Sequence, residues 1–273
     1  MAKRGDNLKV RYGMLVVMLI IIGFSVTWFG NNKDTKQATT NTITAEESQN
    51  VELTAENRIK IHYFDVGQAD SILLISDDKT MLIDAGTNST GKTVVQNLQK
   101  LGITKIDYLI GTHPHEDHIG GLDDVINNFE IGTIYMPKTQ TNTKTFEDVL
   151  DAISNKGLKV TSPNKSDTFT VGSVNCEVML CTPELAEEKD NLNLCSIVIR
   201  ATFGEQSYLF MGDAEEENEK LRDWPQTNVL KVGHHGSKTS SSEKFLNQVL
   251  PQIAIIQVGK DNKYRTSKTR NNW

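Results

Sequence analysis

Residues Thr112 to Gly121 read T-H-P-H-E-D-H-I-G-G, and His113, His115, Asp117 and His118 fall within six positions of that run. Imidazole and carboxylate together suit a borderline divalent ion such as Zn²⁺, or Mn²⁺ or Fe²⁺ where more carboxylate is present. A lone histidine is more often structural than a ligand, but four candidate ligands this close together reverse that balance. Pro114 excludes a helix interior, so His113 and His115 should leave an extended loop on the same side. Asp117 and His118, two and three residues on, can then turn toward a second ion. One short loop thereby offers two ligands to each of two adjacent metals. His234 and His235 are neighbours, and of the six histidines only His62 lies outside the two clusters. Such a distribution predicts an assembled metal site.

The elements that must carry these residues are strands first. Ile59 to Phe64 alternates, Ser71 to Ile75 is apolar, and Thr80 to Ile83 ends at the turn Asp84-Ala85-Gly86. Gly91 to Leu101 has helical spacing (Val94, Val95, Leu98, Leu101) and stops at Gly102. A short strand, Ile106 to Ile110, delivers the histidine loop, followed by a helix near Leu122 to Asn128, a strand from Ile131 to Met136 and a helix from Thr145 to Lys156. Strands follow near Leu158–Thr161, Val174–Leu180, Ser196–Phe203 and Ser207–Met211, the last two joined as a hairpin at Gly204-Glu205-Gln206. After Gly212-Asp213 come an acidic helix-like run, a strand Val229–Val232, a helix near Ser241–Leu250 and a strand Ile253–Val258. Interleaved strands and helices of this kind predict two sheets packed between outer helices.

The formal net charge of −6 excludes a general basic footprint for nucleic acid. The charge is uneven: Asn228 to Trp273 carries eight Lys/Arg against two acids, +6, leaving −12 for the remainder. Three cysteines (Cys176, Cys181, Cys195) are too few and oddly numbered for a disulfide framework, so buried thiols are expected. Residues 1–11, with Lys3, Arg4, Lys9 and Arg11, form a basic flank expected to be cytoplasmic. Residues 12–32 are an uncharged stretch of 21 residues. At about 1.5 Å each, they can cross a bilayer core of about 30 Å. A cleaved signal peptide competes with this, but no A-x-A site follows and Trp28 and Phe29 occupy its usual place. The expectation is therefore an uncleaved transmembrane anchor, a polar flexible linker over 33–57 and one globular domain over 58–273, outside the cell.

H-P-H-E-D-H after a short strand, preceded by L-I-D-A-G and followed by M-G-D-A, resembles the metallo-β-lactamase superfamily pattern. D-V-G-Q-A-D-S (Asp65 to Ser71) and L-K-V-G-H-H-G-S (Leu230 to Ser237) further resemble the hydrolase domain of ComEC competence proteins, over about residues 58–264. The resemblance implies the metallo-β-lactamase-like αββα four-layer sandwich and a dinuclear site. It places His113 and His115 on one metal, Asp117 and His118 on the second, and Asp213 between them. A carboxylate suits that position, because its two oxygens can span ions roughly 3.5–4 Å apart. Asp84 would orient the histidine loop from beneath, while Asp65 and Asp70 would shape the adjoining loop. His234, the first side chain past the strand ending at Val232-Gly233, is taken as a further ligand and His235 as a substrate contact or proton donor, with their order reversible. Asp117 and His235 are thus the residues expected at the reaction itself.

Three departures accompany the resemblance. Ala69 replaces the usual glycine of D-V-G-Q-G-D-S. No histidine lies between His118 and His234, where many superfamily members carry one, and Asn193 to Ser196 (N-L-C-S) resembles the Asn-x-x-Ser found there in ComEC domains. After Asn262-Lys263-Tyr264 the chain reads R-T-S-K-T-R-N-N-W where the family continues with N-x-Y-G-H-P, which resembles a truncation or frameshifted tail.

Two divalent ions, Zn²⁺ by preference with Mn²⁺ as the alternative, would make water a hydrolytic nucleophile near neutral pH. The resemblance points to a phosphodiester substrate, such as extracellular DNA in competence-linked uptake. Ser237, Lys238 and Asn193 are candidate substrate contacts, and Lys231, Lys238 and Lys244 candidate phosphate holders. An esterase, lactonase or β-lactamase-type hydrolase is the alternative within the same chemistry. An inactive ligand-binding remnant is the alternative from another class. No protein partner can be inferred.

Overall fold

A computed structural model describes residues 58–260 and Asn262. The expected anchor (12–32), its flank, the linker and the tail from Arg265 to Trp273 lie outside the described residues. Among the described residues no helix is long and apolar enough to cross a membrane.

The first sheet contains β1 (Ile59–Tyr63), β2 (Ile72–Ser76), β3 (Lys79–Ile83), β4 (Lys105–Ile110), β5 (Glu130–Tyr135) and β6 (Val160–Thr161), in that order. β1 to β3 pair antiparallel, and β3 to β6 parallel. The second sheet contains β7 (Thr168–Val171), β8 (Val174–Leu180), β9 (Val198–Phe203), β10 (Gln206–Phe210), β11 (Val229–Lys231) and β12 (Ile253–Ile255), again in chain order across the sheet. β7 to β10 pair antiparallel, and β10 to β12 parallel. Both sheets are therefore mixed.

Three apolar layers hold the fold together. Leu74, Met81, Ile83 and Ile110 of the first sheet pack with Val178, Ile199, Ala201 and Phe210 of the second. The opposite face of the first sheet (Leu73, Leu82, Leu109, Ile134) meets α1 (Gly91–Lys100), α3 (Leu122–Asn128) and α4 (Lys144–Asn155). The outer face of the second (Val198, Leu209, Leu230) meets Trp224, which follows α6 (Glu216–Glu219), and α7 (Glu243–Val249) through Phe245 and Val249. Strands buried on both faces read as continuous apolar runs, as β2 does with Ile-Leu-Leu-Ile. The outer helices need only one apolar stripe. In α4 that stripe is Phe146, Val149, Ala152 and Ile153, behind an N-cap in which Thr143 accepts from the Phe146 amide at 3.3 Å.

Two elements go beyond the sequence expectation. β7 is a half-polar edge strand, Thr-Phe-Thr-Val, and α5 (Pro183–Lys189) buries only Ala186, so neither carries a strong periodic signal. The last strand ends at Ile255 rather than Val258, because Gln257 turns inward and donates to the carbonyls of Phe64 and Ser71 at 3.0 and 3.1 Å. Cys176 and Cys195 are buried, Cys181 is half-buried, and all three are free thiols.

Candidate metal centre and its cleft

The chain leaves β3 at Asp84, which sits in the left-handed region at φ +57° and is fully buried. That conformation costs about 1–2 kcal/mol. It turns the carboxylate under the histidine loop, where Oδ1 accepts from the Thr112 amide at 2.8 Å and Oδ2 accepts from Thr112 Oγ1 at 2.7 Å. The same Oδ2 lies 2.8 Å from His118 Nδ1. The loop is not extended throughout as the sequence suggests: it bends at His113 and Pro114, is extended at His115 and then closes into a one-turn helix, α2 (Glu116–Ile119), which carries Asp117 and His118. Its seat against the Asp84 turn is tight: a Cβ on Gly121 would stand 2.4 Å from the Ala85 carbonyl oxygen. The two glycines of H-I-G-G are thus a packing requirement of the site.

Asp213 follows β10 and is nearly fully buried. Its amide donates to Ser196 Oγ at 3.1 Å, which gives the last residue of N-L-C-S a role in placing it. Four imidazole Nε2 atoms converge on its carboxylate: His118 at 3.2 Å, His235 at 3.6 Å, His234 at 3.7 Å and His113 at 3.9 Å. His113 Nε2 and His115 Nδ1 are 2.9 Å apart on one side, and His235 Nε2 lies 3.2 Å from Asp117 Oδ2 on the other.

His234 and His235 both adopt left-handed backbone (φ +47° and +49°) between two glycines. Both bring Nε2 toward Asp213 Oδ2, but Nδ1 of His234 faces Glu215 and Nδ1 of His235 faces Asp70 and the Gln257 carbonyl. His235 is the one brought among Asp117, His118 and Asp213, whose ligand atoms all lie within 4.8 Å of one another. His234, expected as the further ligand ahead of His235, lies beside Asn193, with Nδ1 2.9 Å from Glu215 Oε1 and Nε2 3.7 Å from Asp213 Oδ2. Of the pair, whose order the sequence leaves reversible, His235 is the one that joins this four-residue group.

The charges fit a cation. Burial would raise the Asp213 carboxyl, yet His118 and His235 hold it well below its ordinary range. Burial would lower His118, but Asp213 and Asp84 push it well above. His235 is likewise pushed up, to about 9, by Asp213, Asp117 and Asp70 against the effect of burial. Burial and the neighbouring His118 keep His113 well below the usual imidazole range. The raised His118 and His235 beside the lowered Asp213 and Asp117 mark the place where a divalent ion would balance the carboxylates. Asp213 Oδ1 is buried and makes no hydrogen bond. Nitrogen and carboxylate donors around such an oxygen suit a Zn²⁺- or Mn²⁺-like ion.

The centre opens on a cleft of 570 Å³. Gln68, Asn193, His234, Ser237 and Lys238 line it together with the candidate ligands, and its lining carboxylates are Asp117 and Asp213. Lys238 is exposed and pairs with no carboxylate among the described residues. Lys231 does not belong with it. Its side chain is 1% exposed and its ammonium pairs with the buried Asp70, so it cannot hold a phosphate as the sequence suggests. Lys244 lies on the exposed part of α7, outside the cleft lining. Asp70 also stands 3.3 Å from His235 Nδ1, which is 3.0 Å from the Gln257 carbonyl. Asp65 is exposed and caps its own turn, accepting from the Gly67 amide at 3.2 Å. Sequence reasoning does not reach Glu215 or Gln257. Only the placement of Glu215 two residues after Asp213 hints at a role.

Residues 64–260 match the family model of the metallo-beta-lactamase superfamily, and the chain belongs to that superfamily. It is 30% identical over 227 residues to ComE operon protein 3 of Bacillus subtilis, covering 75% of this chain and 29% of that protein. It is 31% identical over 218 residues to recombination protein 2 of Haemophilus influenzae, covering 76% of this chain and 25% of that protein. The chain thus spans only 29% and 25% of the length of these relatives. Among solved structures, the metallo-beta-lactamase fold protein YhfI from Bacillus subtilis superposes with a TM-score of 0.51 at 13% identity, over 77% of this chain and 90% of that one. That likeness concerns the fold alone.

Proposed function

We propose that this member of the metallo-beta-lactamase superfamily is a metal-dependent hydrolase of phosphodiesters, exported and held at the membrane by its N-terminal apolar stretch. The observation that carries the reading is the set Asp117, His118, Asp213 and His235, with ligand atoms within 4.8 Å of one another at the floor of an open cleft. These four would hold one ion, and His113, His115 and Asp213 would hold another, Zn²⁺ or Mn²⁺ in each case. Ions bound there supply activated water and neutralise charge developing on the oxygen under attack.

The chain's own residues do the remaining work. Asp84 fixes the His118 ring through Nδ1, so that Nε2 faces Asp213. Buried Asp70 and the Gln257 carbonyl do the same for His235. Gln68 accepts from the Gly259 amide through Oε1 at 3.1 Å, which leaves its amide protons as donors at the cleft. With Ser237 and the unpaired Lys238, they suit the non-bridging oxygens of an anionic ester. The name of recombination protein 2 among the relatives favours nucleic acid as the natural ester.

The test is the purified full chain, loaded with Zn²⁺ or Mn²⁺ and assayed in parallel on phosphodiester, carboxylic ester and β-lactam substrates. Metal-dependent phosphodiester cleavage is expected. Turnover of esters or β-lactams alone would transfer the reading to the acyl-hydrolase class, and no turnover in metal-loaded protein would leave a ligand-binding remnant. Protease added to intact cells should digest the domain while it stays in the membrane fraction. A protected or freely released domain would refute the anchor.

A further inference from the structure

The histidines around Asp213 share one arrangement. His118 offers Nδ1 to Asp84 and His235 offers Nδ1 to the Gln257 carbonyl, each leaving Nε2 toward Asp213. His234 repeats it: Nδ1 lies 2.9 Å from Glu215 Oε1 and Nε2 lies 3.7 Å from Asp213 Oδ2. Glu215 does more than meet one ring. Oε1 also accepts from Asn193 Nδ2 at 3.0 Å and from Thr239 Oγ1 at 2.9 Å, and Oε2 accepts from Asn191 Nδ2 at 3.0 Å. With Asn193 Nδ2 committed to Glu215, its Oδ1 is left buried and without a hydrogen bond beside the cleft. The backbone beneath is pinned as well, since the Glu215 amide donates to Asn218 Oδ1 at 3.0 Å.

We infer that Glu215 is the positioning residue of the His113 side of the centre, holding His234 and Asn193 so that His234 Nε2 and Asn193 Oδ1 face the ion. Glu215 is what makes these two adaptable side chains behave as fixed donors. An acceptor for the far ring nitrogen sets the tautomer and the ring plane of a ligating histidine. Glu215 Oε1 lies 2.9 Å from His234 Nδ1 and also accepts from Asn193 and Thr239, and this geometry assigns the His234 proton to Nδ1.

The inference rests on the metal-hydrolase reading, so the first measurement is independent of metal and of turnover. In the metal-free full chain at about pH 8, ¹⁵N NMR of the imidazoles should show His234 carrying its proton on Nδ1. A proton on Nε2 would overturn the inference, and that outcome does not depend on any variant folding. The second measurement is chelator competition for the bound ions, one of which the His113 side would hold. Glu215→Gln should weaken the hold on that ion roughly 10–100-fold, whereas the same change in a His234→Ala background should alter affinity by less than about twofold, because coupled residues are not additive. Equal losses in both backgrounds would mean that Glu215 acts through general stability, and would overturn the inference. If the wild-type chain binds no metal at all, the hydrolase reading fails, while the imidazole spectrum still decides the role of Glu215.

Discussion

Replacing Lys231 by Met should destabilise the fold without touching the substrate, although this lysine lies in a basic segment one residue from the G-H-H-G turn. Its ammonium pairs with Asp70 and donates to the Gly212 carbonyl at 3.4 Å, and both charged side chains are almost wholly buried. Removing one member of a buried pair strands the other charge, which costs about 3–5 kcal/mol. The lower end applies here, because His235 and His118 remain beside Asp70 and help hold its carboxyl below the ordinary range against burial. For a domain of this size each kcal/mol moves the midpoint by about 2–4 °C, so Lys231→Met should lower Tm by about 6–12 °C. Lys231→Met with Asp70→Asn should recover part of that loss, since no charge is then stranded. Lys238→Met, exposed at the cleft, should leave stability within about 0.5 kcal/mol and raise KM for an anionic substrate. Thermal unfolding in chelator, paired with steady-state kinetics, reads both. An unchanged Tm with a raised KM in Lys231→Met would refute the burial argument.

Asp117→Ala should lower metal content and abolish hydrolysis, measured by metal analysis of the purified variant; full activity at unchanged metal content would sink the two-ion assignment. Asp84→Asn keeps the shape beneath Thr112 but removes the charged acceptor of His118, so metal affinity should fall about 10–100-fold, read by chelator competition. In the metal-free protein His235 has a folded pKa of about 9 against an ordinary 6.5. Its contribution to stability is therefore fully present below pH 6.5 and lost as pH rises through about 9. A metal-free midpoint that does not fall across that window would contradict the assignment. Metal binding near pH 7.5 should accordingly release protons, seen as a buffer-dependent binding enthalpy; a buffer-independent enthalpy would mean that these histidines are already neutral.

The chemistry is largely legible in the local sequence because its signals are local. The T-H-P-H-E-D-H-I-G-G run states candidate ligand types and a helix-excluding proline, and the strand-turn pattern puts Asp84 and Asp213 at strand ends, whereas the packing role of Gly120 and Gly121 shows only in the fold. The alternating and continuous apolar runs similarly announce most strands, while β7 and α5 bury too little to leave a period. The tertiary structure alone decides how the remaining side chains divide their work. His234 and His235, both in left-handed backbone, bring Nε2 near the same Asp213 oxygen, yet Nδ1 of the first meets Glu215 and Nδ1 of the second meets Asp70 and the Gln257 carbonyl, a division that counting positions past a strand cannot give. Glu215 reads as the start of an acidic run, and becomes an acceptor only where Asn191, Asn193, His234 and Thr239 converge on it. Lys231 reads as part of a basic segment, and is a core residue only because Asp70, 161 positions earlier, meets it there. Burial and partners are properties of contacts between distant segments, so charge in a sequence shows that an ion is present, and only the fold shows what it faces.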